Sequence, residues 1–404
     1  MQLSPGTKIR ADEAEWPDAL IERIEASPLK DKQVRSLLAL RLNTDRMTAF
    51  LDAADQNEQV YKMGMVWAMP TTQLGMRARP GPNGLGMKEI NIGTYAHVPD
   101  HWPYENDTPL GSHPSPGSYM PGPYAIYTKS EVWAEGLDEL YDTAIRERWA
   151  AATAIDWAAL EEQPEEIERA ICQICTQFAQ HGLAIQKVLA SWMEKIAYGF
   201  HDMKNFVSTQ VFDEGRKVEV LRKRSLANGG GLGQQSFGTL YRSWFSAPKP
   251  TQVLIAIDVI YKCYEIPTFK KLAEICPSPV DRDIFARLAH DSERHLEFGK
   301  RHLEYYVQHH KDAREFLIHY LNRGEASLAD ELEHSRVDLE ALIVLLAGGV
   351  ERLEVGIEEV RKLREASLRK YIGVLDELSI DRLPEINPQL ISIARDPQAV
   401  VVAV

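Results

Sequence analysis

The chain has 404 residues of ordinary globular composition, enough for two domains or for one large domain with a sizeable core. Its formal net charge of −13 argues against a phosphate-backbone partner, which needs basic stripes, and against anionic membrane surfaces. Met1 to Trp16 carries no apolar leader and the longest apolar run, Ala341 to Val350, is too short for a bilayer, so the expectation is a cytoplasmic protein without nucleic-acid or membrane partners.

In chain order, residues 12–60 are rich in Glu, Leu, Arg and Ala and read as short amphipathic helices, with Val34 to Leu42 the clearest run. The composition then changes: residues 70–123 hold ten prolines and eight glycines among interleaved aromatics. That density forbids long helices, and the aromatics argue against a free coil, so an ordered, irregular segment wrapped over a helical body is expected. His97, His101 and His113 fall in it and read as solvated side chains rather than a metal cluster. Met63 to Met69 reads as core packing.

From Ser130 the pattern is helical almost throughout. Glu131 to Trp149 carries an apolar stripe, and long helices are predicted at Glu165 to Tyr198, His201 to Asn228, Thr251 to Cys276 and Asp281 to His309. Pro267 predicts a kink or break in the third of these. Asn228-Gly229-Gly230-Gly231-Leu232-Gly233 reads as a helix stop; no Gly-Lys-Ser/Thr follows that would make it a phosphate loop. Further helices are expected at Glu315 to Leu321, Ala329 to Ala347 and Val350 to Tyr371, then an extended tail from Ser379. The fold class is therefore all-α. Three parts are expected: N-terminal helices with the wrapping segment over 1–129, a helical bundle over 130–310, and C-terminal helices with the tail over 311–404. Cys172, Cys175, Cys263 and Cys276 are too few for a disulfide framework, and the lone Cys172/Cys175 CxxC, set in an apolar helix without a second pair, reads as buried packing.

The second and fourth long helices carry one motif written twice. Asp213-Glu214-Gly215-Arg216-Lys217 recurs 78 residues later as Asp291-Ser292-Glu293-Arg294-His295, and Asp, Arg and Glu return at positions one, four and seven. Positions two and five are neighbours on one helix face, the spacing of a Glu-x-x-His metal pair in a helix bundle. Each copy departs from that pair: the first has Lys217 for His and the second has Ser292 for Glu.

With alternating plain and motif helices, the chain resembles the ferritin-like superfamily over residues 130–310, specifically its carboxylate-bridged di-iron oxygenase and ribonucleotide-reductase-like branch. The resemblance implies a four-helix bundle in which a carboxylate from each plain helix and a Glu and His from each motif helix hold two Fe or Mn ions. Transferred residue by residue, Glu214 and His295 match. Lys217 stands at the first His position, where an ammonium cannot ligate, and Ser292 stands at the second Glu position. The first plain helix offers no carboxylate near Gly182, with only Gln177 and Gln186 nearby. On the second, Asp258, Lys262 and Glu265 share a face at i, i+4 and i+7. At most three of six ligands survive. A mononuclear site from His181, Asp258 or Glu265, His290 and His295 is disfavoured, because His290 and His295 point about 140 degrees apart. Any metal present would use Glu214, His295, Glu265 and Asp258.

In such proteins the Asp opening each motif supports the His of the other motif, so the resemblance implies that Asp213 faces His295 and Asp291 faces Lys217. Lys217 would then lie in a buried ion-pair network with Glu214 and Asp291, filling the volume the metals left, beside Ser292. The expected protein is a metal-free, non-catalytic or accessory subunit of an oxygenase-type system, paired with a ferritin-like partner or a second copy of itself. The alternatives are an active non-haem iron oxygenase with an atypical site, and a metal-free acid-base enzyme using Lys217, Glu214 and His295. If the chain is enzymatic, oxidoreductase is the first reading.

Overall fold

The computed structural model describes residues 17–30, 44–59, 76–102 and 122–396. It divides into two compact units, one formed by Met1–Pro99 with Pro103–Pro123, the other by Asp100–Trp102 with Tyr124–Val404.

In the first unit, α1 (Asp18–Ala26) buries Leu20, Ile21 and Ile24, and α2 (Thr44–Gln56) buries Met47, Phe50, Leu51 and Ala54 at i, i+3, i+4 and i+7. Arg23 ties the two helices through Asp52 and Asp55 at 2.7 and 2.6 Å. In the Pro/Gly-rich stretch the chain makes a tight turn at Gly81–Gly84 and a one-turn helix, α3 (Met87–Ile90). The Val34 to Leu42 and Met63 to Met69 runs and His113 lie outside the described residues. His97 and His101 are exposed, as expected of solvated loop histidines.

The second unit is all-α among the described residues, with the predicted four-helix core. After α4 (Leu137–Glu147) come α5 (Glu165–Met193), α6 (His201–Ala227), the short α7 (Thr239–Phe245), α8 (Pro250–Leu254, a widened π turn Ile255–Tyr261, then Lys262–Ile275) and α9 (Pro279–His309). α5 packs against α6 and α8 against α9. Side-chain pairs fix the directions: Glu168 meets Arg224 while Gln186 meets Val211, so α5 and α6 are antiparallel. Asp213 meets Arg294 while Asp281 meets Arg224, so α6 and α9 are antiparallel too. α6 and α8 run parallel at a constant offset of 48 residues.

Several boundaries differ from expectation. The Glu131 to Trp149 helix begins only at Leu137, because Gly136 takes a left-handed φ of 72° at its N-terminus. α8 is not broken at Pro267, which lies inside Lys262–Ile275; the irregularity falls upstream, in the π turn. α7 has no counterpart in the predicted pattern. Two of the C-terminal helices are longer than predicted, α10 (Ala313–His334) and α12 (Leu353–Glu377), while α11 (Arg336–Ala347) is shorter, because α10 runs on to His334 and takes the start of the expected Ala329 to Ala347 span. The tail is not wholly extended: it forms α13 (Pro388–Arg395), whose N-cap Asn387 accepts from Gln389 N at 2.9 Å and Leu390 N at 3.3 Å ahead of a proline suited to the first turn. All four cysteines are buried and free, and burial pushes the Cys172 thiol up to about 12, as packing residues require. No helix among the described residues is long and apolar enough to cross a membrane.

The α8–α9 contact is set by Gly299, where an added Cβ would lie 2.8 Å from Asp258 Cβ and 2.9 Å from its backbone. Gly299→Ala should therefore destabilise the fold by about 1–3 kcal/mol, since backbone cannot yield cheaply. Gly373→Ala, mid-helix in α12 with nothing within 4 Å, should be neutral or stabilising by up to about 1 kcal/mol. Urea unfolding of the two variants checks the contrast; equal midpoints would show that the close approach is not maintained.

Candidate functional site

The parallel α6–α8 pair builds a ladder. Residues 210, 214 and 217 on α6 and 258, 262 and 265 on α8 are spaced i, i+4, i+7, so each triplet occupies one helix stripe. The rungs are Gln210 Nε2 to Asp258 Oδ1 at 2.5 Å, Lys262 Nζ to Glu214 Oε1 at 2.7 Å, and Lys217 Nζ to Glu265 Oε1 at 2.7 Å. Contacts along each helix close the lower two rungs into a square: Lys217 also pairs with Glu214, and Lys262 Nζ donates to Glu265 Oε2 at 2.5 Å. Two ammonium groups thus lie between two carboxylates, each shared. Ser292 Oγ donates to Glu265 Oε2 at 2.8 Å and Tyr261 OH to Glu265 Oε1 at 3.0 Å. Because the Tyr261 proton is directed at Glu265, its oxygen accepts from His181 Nδ1 at 2.9 Å, leaving His181 Nε2 bare. Gly182 completes the site, since a Cβ there would come within 3.0 Å of Lys217 Cε: the missing side chain admits the lysine stem.

The duplicated motif builds a second square beside the first. Arg216 donates to Asp213 of its own helix at 2.6 Å and to Asp291 of the other at 2.7 Å; Arg294 donates to Asp291 of its own helix at 2.9 Å and to Asp213 at 2.8 Å. Trp149 Nε1 donates to Asp291 Oδ2 at 3.0 Å, and its ring lies 4.6 Å from the Arg216 guanidinium. His295 joins the squares, with Nε2 3.2 Å from Asp213 Oδ2 and Nδ1 3.6 Å from Glu214 Oε1.

Burial disfavours every charge here, and partners decide which survive. For Glu214 and Glu265 burial works against ionisation, but Lys217 and Lys262 outweigh it, holding Glu214 well below the usual range and Glu265 down to about 2. Burial likewise opposes the charge on His295, yet the hydrogen bond to Asp213 raises its pKa. His181 has no such carboxylate, and burial followed by repulsion from Lys217 lowers it to about 3. Asp258 goes the other way: burial pushes it up to about 7, and its Oδ2 has no hydrogen-bond partner among the described residues.

The expected site residues Glu214, Lys217, Ser292, His295 and Glu265 converge, and Asp213 faces His295 as implied. Asp291 does not face Lys217: it is held by Arg216, Arg294 and Trp149, because two guanidiniums outreach the single amine from the helix flank. Lys217 takes Glu265 instead. Asp258 sits one rung away on Gln210. His290 is exposed and pairs with Glu147 at 2.9 Å, away from the core. Motif reasoning passed over Lys262 as a second buried amine and passed over Tyr261 altogether, although Lys262 was visible at the i+4 position between Asp258 and Glu265.

Fe or Mn would have to take Glu214, Glu265 and His295 as ligands; Asp258, the fourth expected donor, sits one rung away on Gln210, and burial pushes its carboxyl up to about 7. Three of the four carboxylate oxygens accept hydrogen bonds from lysine, serine or tyrosine, and Glu214 Oε2 is ion-paired with Lys217. The donor set is already neutralised by two ammoniums, and a dication beside them would be repelled. These residues, as folded, do not fit a metal.

No family model and no curated protein matches the chain. Among solved structures it is similar to an R2-like ligand-binding oxidase mutant with aerobically reconstituted Mn/Fe cofactor, at 17% identity and a TM-score of 0.43 over 62% of this chain and 95% of that one. A second mutant with aerobically reconstituted Fe/Fe cofactor matches at the same identity, TM-score and coverage. An R2-like ligand-binding oxidase with aerobically reconstituted metal cofactor after photoconversion matches at 16% identity and a TM-score of 0.37, over 65% of this chain and 93% of that one.

Removing one cation from the inner square leaves a buried carboxylate excess, so Lys262→Met should destabilise by about 3–5 kcal/mol. Adding Glu214→Gln should recover part of that loss, a coupling above about 1 kcal/mol in a double-mutant cycle; strict additivity would show that the square does not form. Asp258 has a distinct signature. Its folded-state carboxyl keeps a proton that the unfolded chain releases, so stability should fall as pH rises from about 4 to about 7, by on the order of 4 kcal/mol, and level off above. Asp258→Asn removes that slope and should be more stable than wild type at pH 8 but not at pH 4; parallel stability curves would refute the assignment.

Proposed function

We propose that the chain is a ferritin-like protein in which two lysines replace a metal centre, and that it serves as a non-catalytic, accessory subunit of an oxygenase-type system, paired with a ferritin-like partner or a second copy. The observation that carries this reading is the inner square. Lys217 and Lys262 supply two positive charges between Glu214 and Glu265, so the carboxylates are neutralised without an ion. None of Glu214, Lys217, Lys262, Glu265, Ser292 and His295 is more than 3% exposed.

Acid-base catalysis by the same groups is less well supported. A reacting molecule must come within hydrogen-bond reach of the acid or base, and among the described residues none of those six side chains lines the surface clefts of about 530 and 500 Å³ or the smaller cavity under α12. An active oxygenase would need both amines displaced or deprotonated, against the attraction of two carboxylates.

Elemental analysis of protein from cells grown with added iron and manganese should find both far below one ion per chain, with no oxygen uptake on adding ascorbate. Stoichiometric iron or manganese that survives gel filtration and is removed by a chelator would overturn the proposal.

A further inference from the structure

Four carboxylates gather where α10 ends and α11 begins, and among the described residues none is paired with a lysine or an arginine. Asp330 and Glu333 lie on the last turn of α10 with their side chains open to solvent. Glu331, 1% exposed, accepts from Gly238 N at 3.0 Å and Leu240 N at 3.2 Å; Asp338, 5% exposed, accepts from Gln173 Nε2 at 2.6 Å and Ser236 Oγ at 3.2 Å. By contrast, Glu168, Asp281 and Glu325 are each buried against an arginine. The one basic side chain in ion-pair range of these four is His334, with Nδ1 3.4 Å from Asp330 Oδ1. The corner therefore carries a negative field that the described side chains do not cancel, and Glu331 adds to the burial that pushes the Asp338 carboxyl up to about 6.

Asp330, Glu333 and His334 each offer a ligand atom, and the three atoms lie within 4.8 Å of one another. Each side chain is held from behind by a different part of the chain. Thr239 Oγ1, at the start of α7, donates to Asp330 Oδ2 at 2.5 Å, and Gln389 Nε2 on α13 donates to Glu333 Oε2. One oxygen of each carboxylate is thus steadied, and the other makes no hydrogen bond among the described residues. His334 Nδ1 donates to Asp330 O at 2.9 Å, so Nε2 carries the lone pair, and the ring stacks on Phe237 with centroids 4.6 Å apart. Outer partners of this kind orient the donors around a metal, and a histidine whose second nitrogen donates to a carbonyl is the usual metal-binding form. The partial negative charge at the C-terminal end of α10 adds to the attraction for a cation.

The geometry points to a binding site for one divalent transition-metal ion, zinc the simplest case, held by Asp330, Glu333 and His334 where α10 packs against α7 and α13. Two carboxylates and an imidazole make a three-ligand set that leaves a fourth position for water. The same donors bind iron(II) and manganese(II) more weakly than zinc, so this site is separate from the question of iron or manganese in the bundle core. Because the outer partners come from α7 and α13, an ion here fastens both to the end of α10.

Calorimetric titration of zinc into the protein, first stripped with a chelator, tests the site. One zinc should bind per chain, and Tm should rise by about 3 °C at a zinc concentration about 100-fold above Kd, with no rise in magnesium. His334→Ala, at an exposed position, should weaken zinc binding by about tenfold or more. Absence of saturable zinc binding, or an unchanged Kd in His334→Ala, would overturn the proposal. Crystals of the wild-type protein soaked in zinc give a second reading: an anomalous peak among the three side chains supports the site, and peaks confined to other positions sink it.

Discussion

Glu214 and Glu265 face each other across a bundle interior from which water is excluded, and two carboxylates cannot both stay ionised there without an equal positive charge close by. Lys217 and Lys262 supply it, each ammonium shared between both carboxylates. Much of the local structure answers to this requirement. Gly182 is bare where a Cβ would crowd Lys217, and Ser292 is short enough to leave room while still donating to Glu265. Tyr261 caps the last lone pair of Glu265 and fixes the tautomer of His181.

The duplicated motif has a second meaning that its ligand-like spacing conceals. Positions one and four, Asp and Arg in both copies, are the corners of a crossed square in which each arginine binds one aspartate on each helix. Such a square needs the same pair on both helices, which is why these positions recur while positions two and five do not. Glu214/Lys217 and Ser292/His295 face the inner square, where Glu265 of α8 accepts from Lys217 on one oxygen and from Ser292 on the other, so the two pairs need not match.

Helix type and order were legible in residues 165–309 because the apolar stripes are long and their ends are marked by Pro164, Gly229 and Pro277. The charge-filled core was legible in part. Lys217 at a ligand position announces an internal amine, but its partner depends on the relative height of two helices, which local pattern does not contain. Asp291 was misassigned for that reason: Arg216 and Lys217 are consecutive on α6, and only packing decides that the guanidinium is the one that reaches α9. A signal for Lys262 did exist. The triplets Gln210/Glu214/Lys217 and Asp258/Lys262/Glu265 share one spacing and carry opposite charges on their last two rungs. By contrast, α7, α13 and the late start of α4 depend on caps and glycine conformations too local for periodicity to show.

Burying four charges in one layer adds little net stability, because desolvation offsets most of the attraction. Its effect is greater on register. At an offset of 48 the rungs alternate in sign. A slip of one turn in one direction sets Glu214 against Asp258 and Lys217 against Lys262, and a slip in the other sets Glu214 against Glu265. Either slip buries like charges, so only the observed height of α6 against α8 is electrostatically tolerable. An apolar core of the same volume would allow those neighbouring registers at small cost. A core no longer organised by ligands around an ion would still keep its charges for this reason, since they hold the motif helix at the height that also closes the Asp213/Asp291 square.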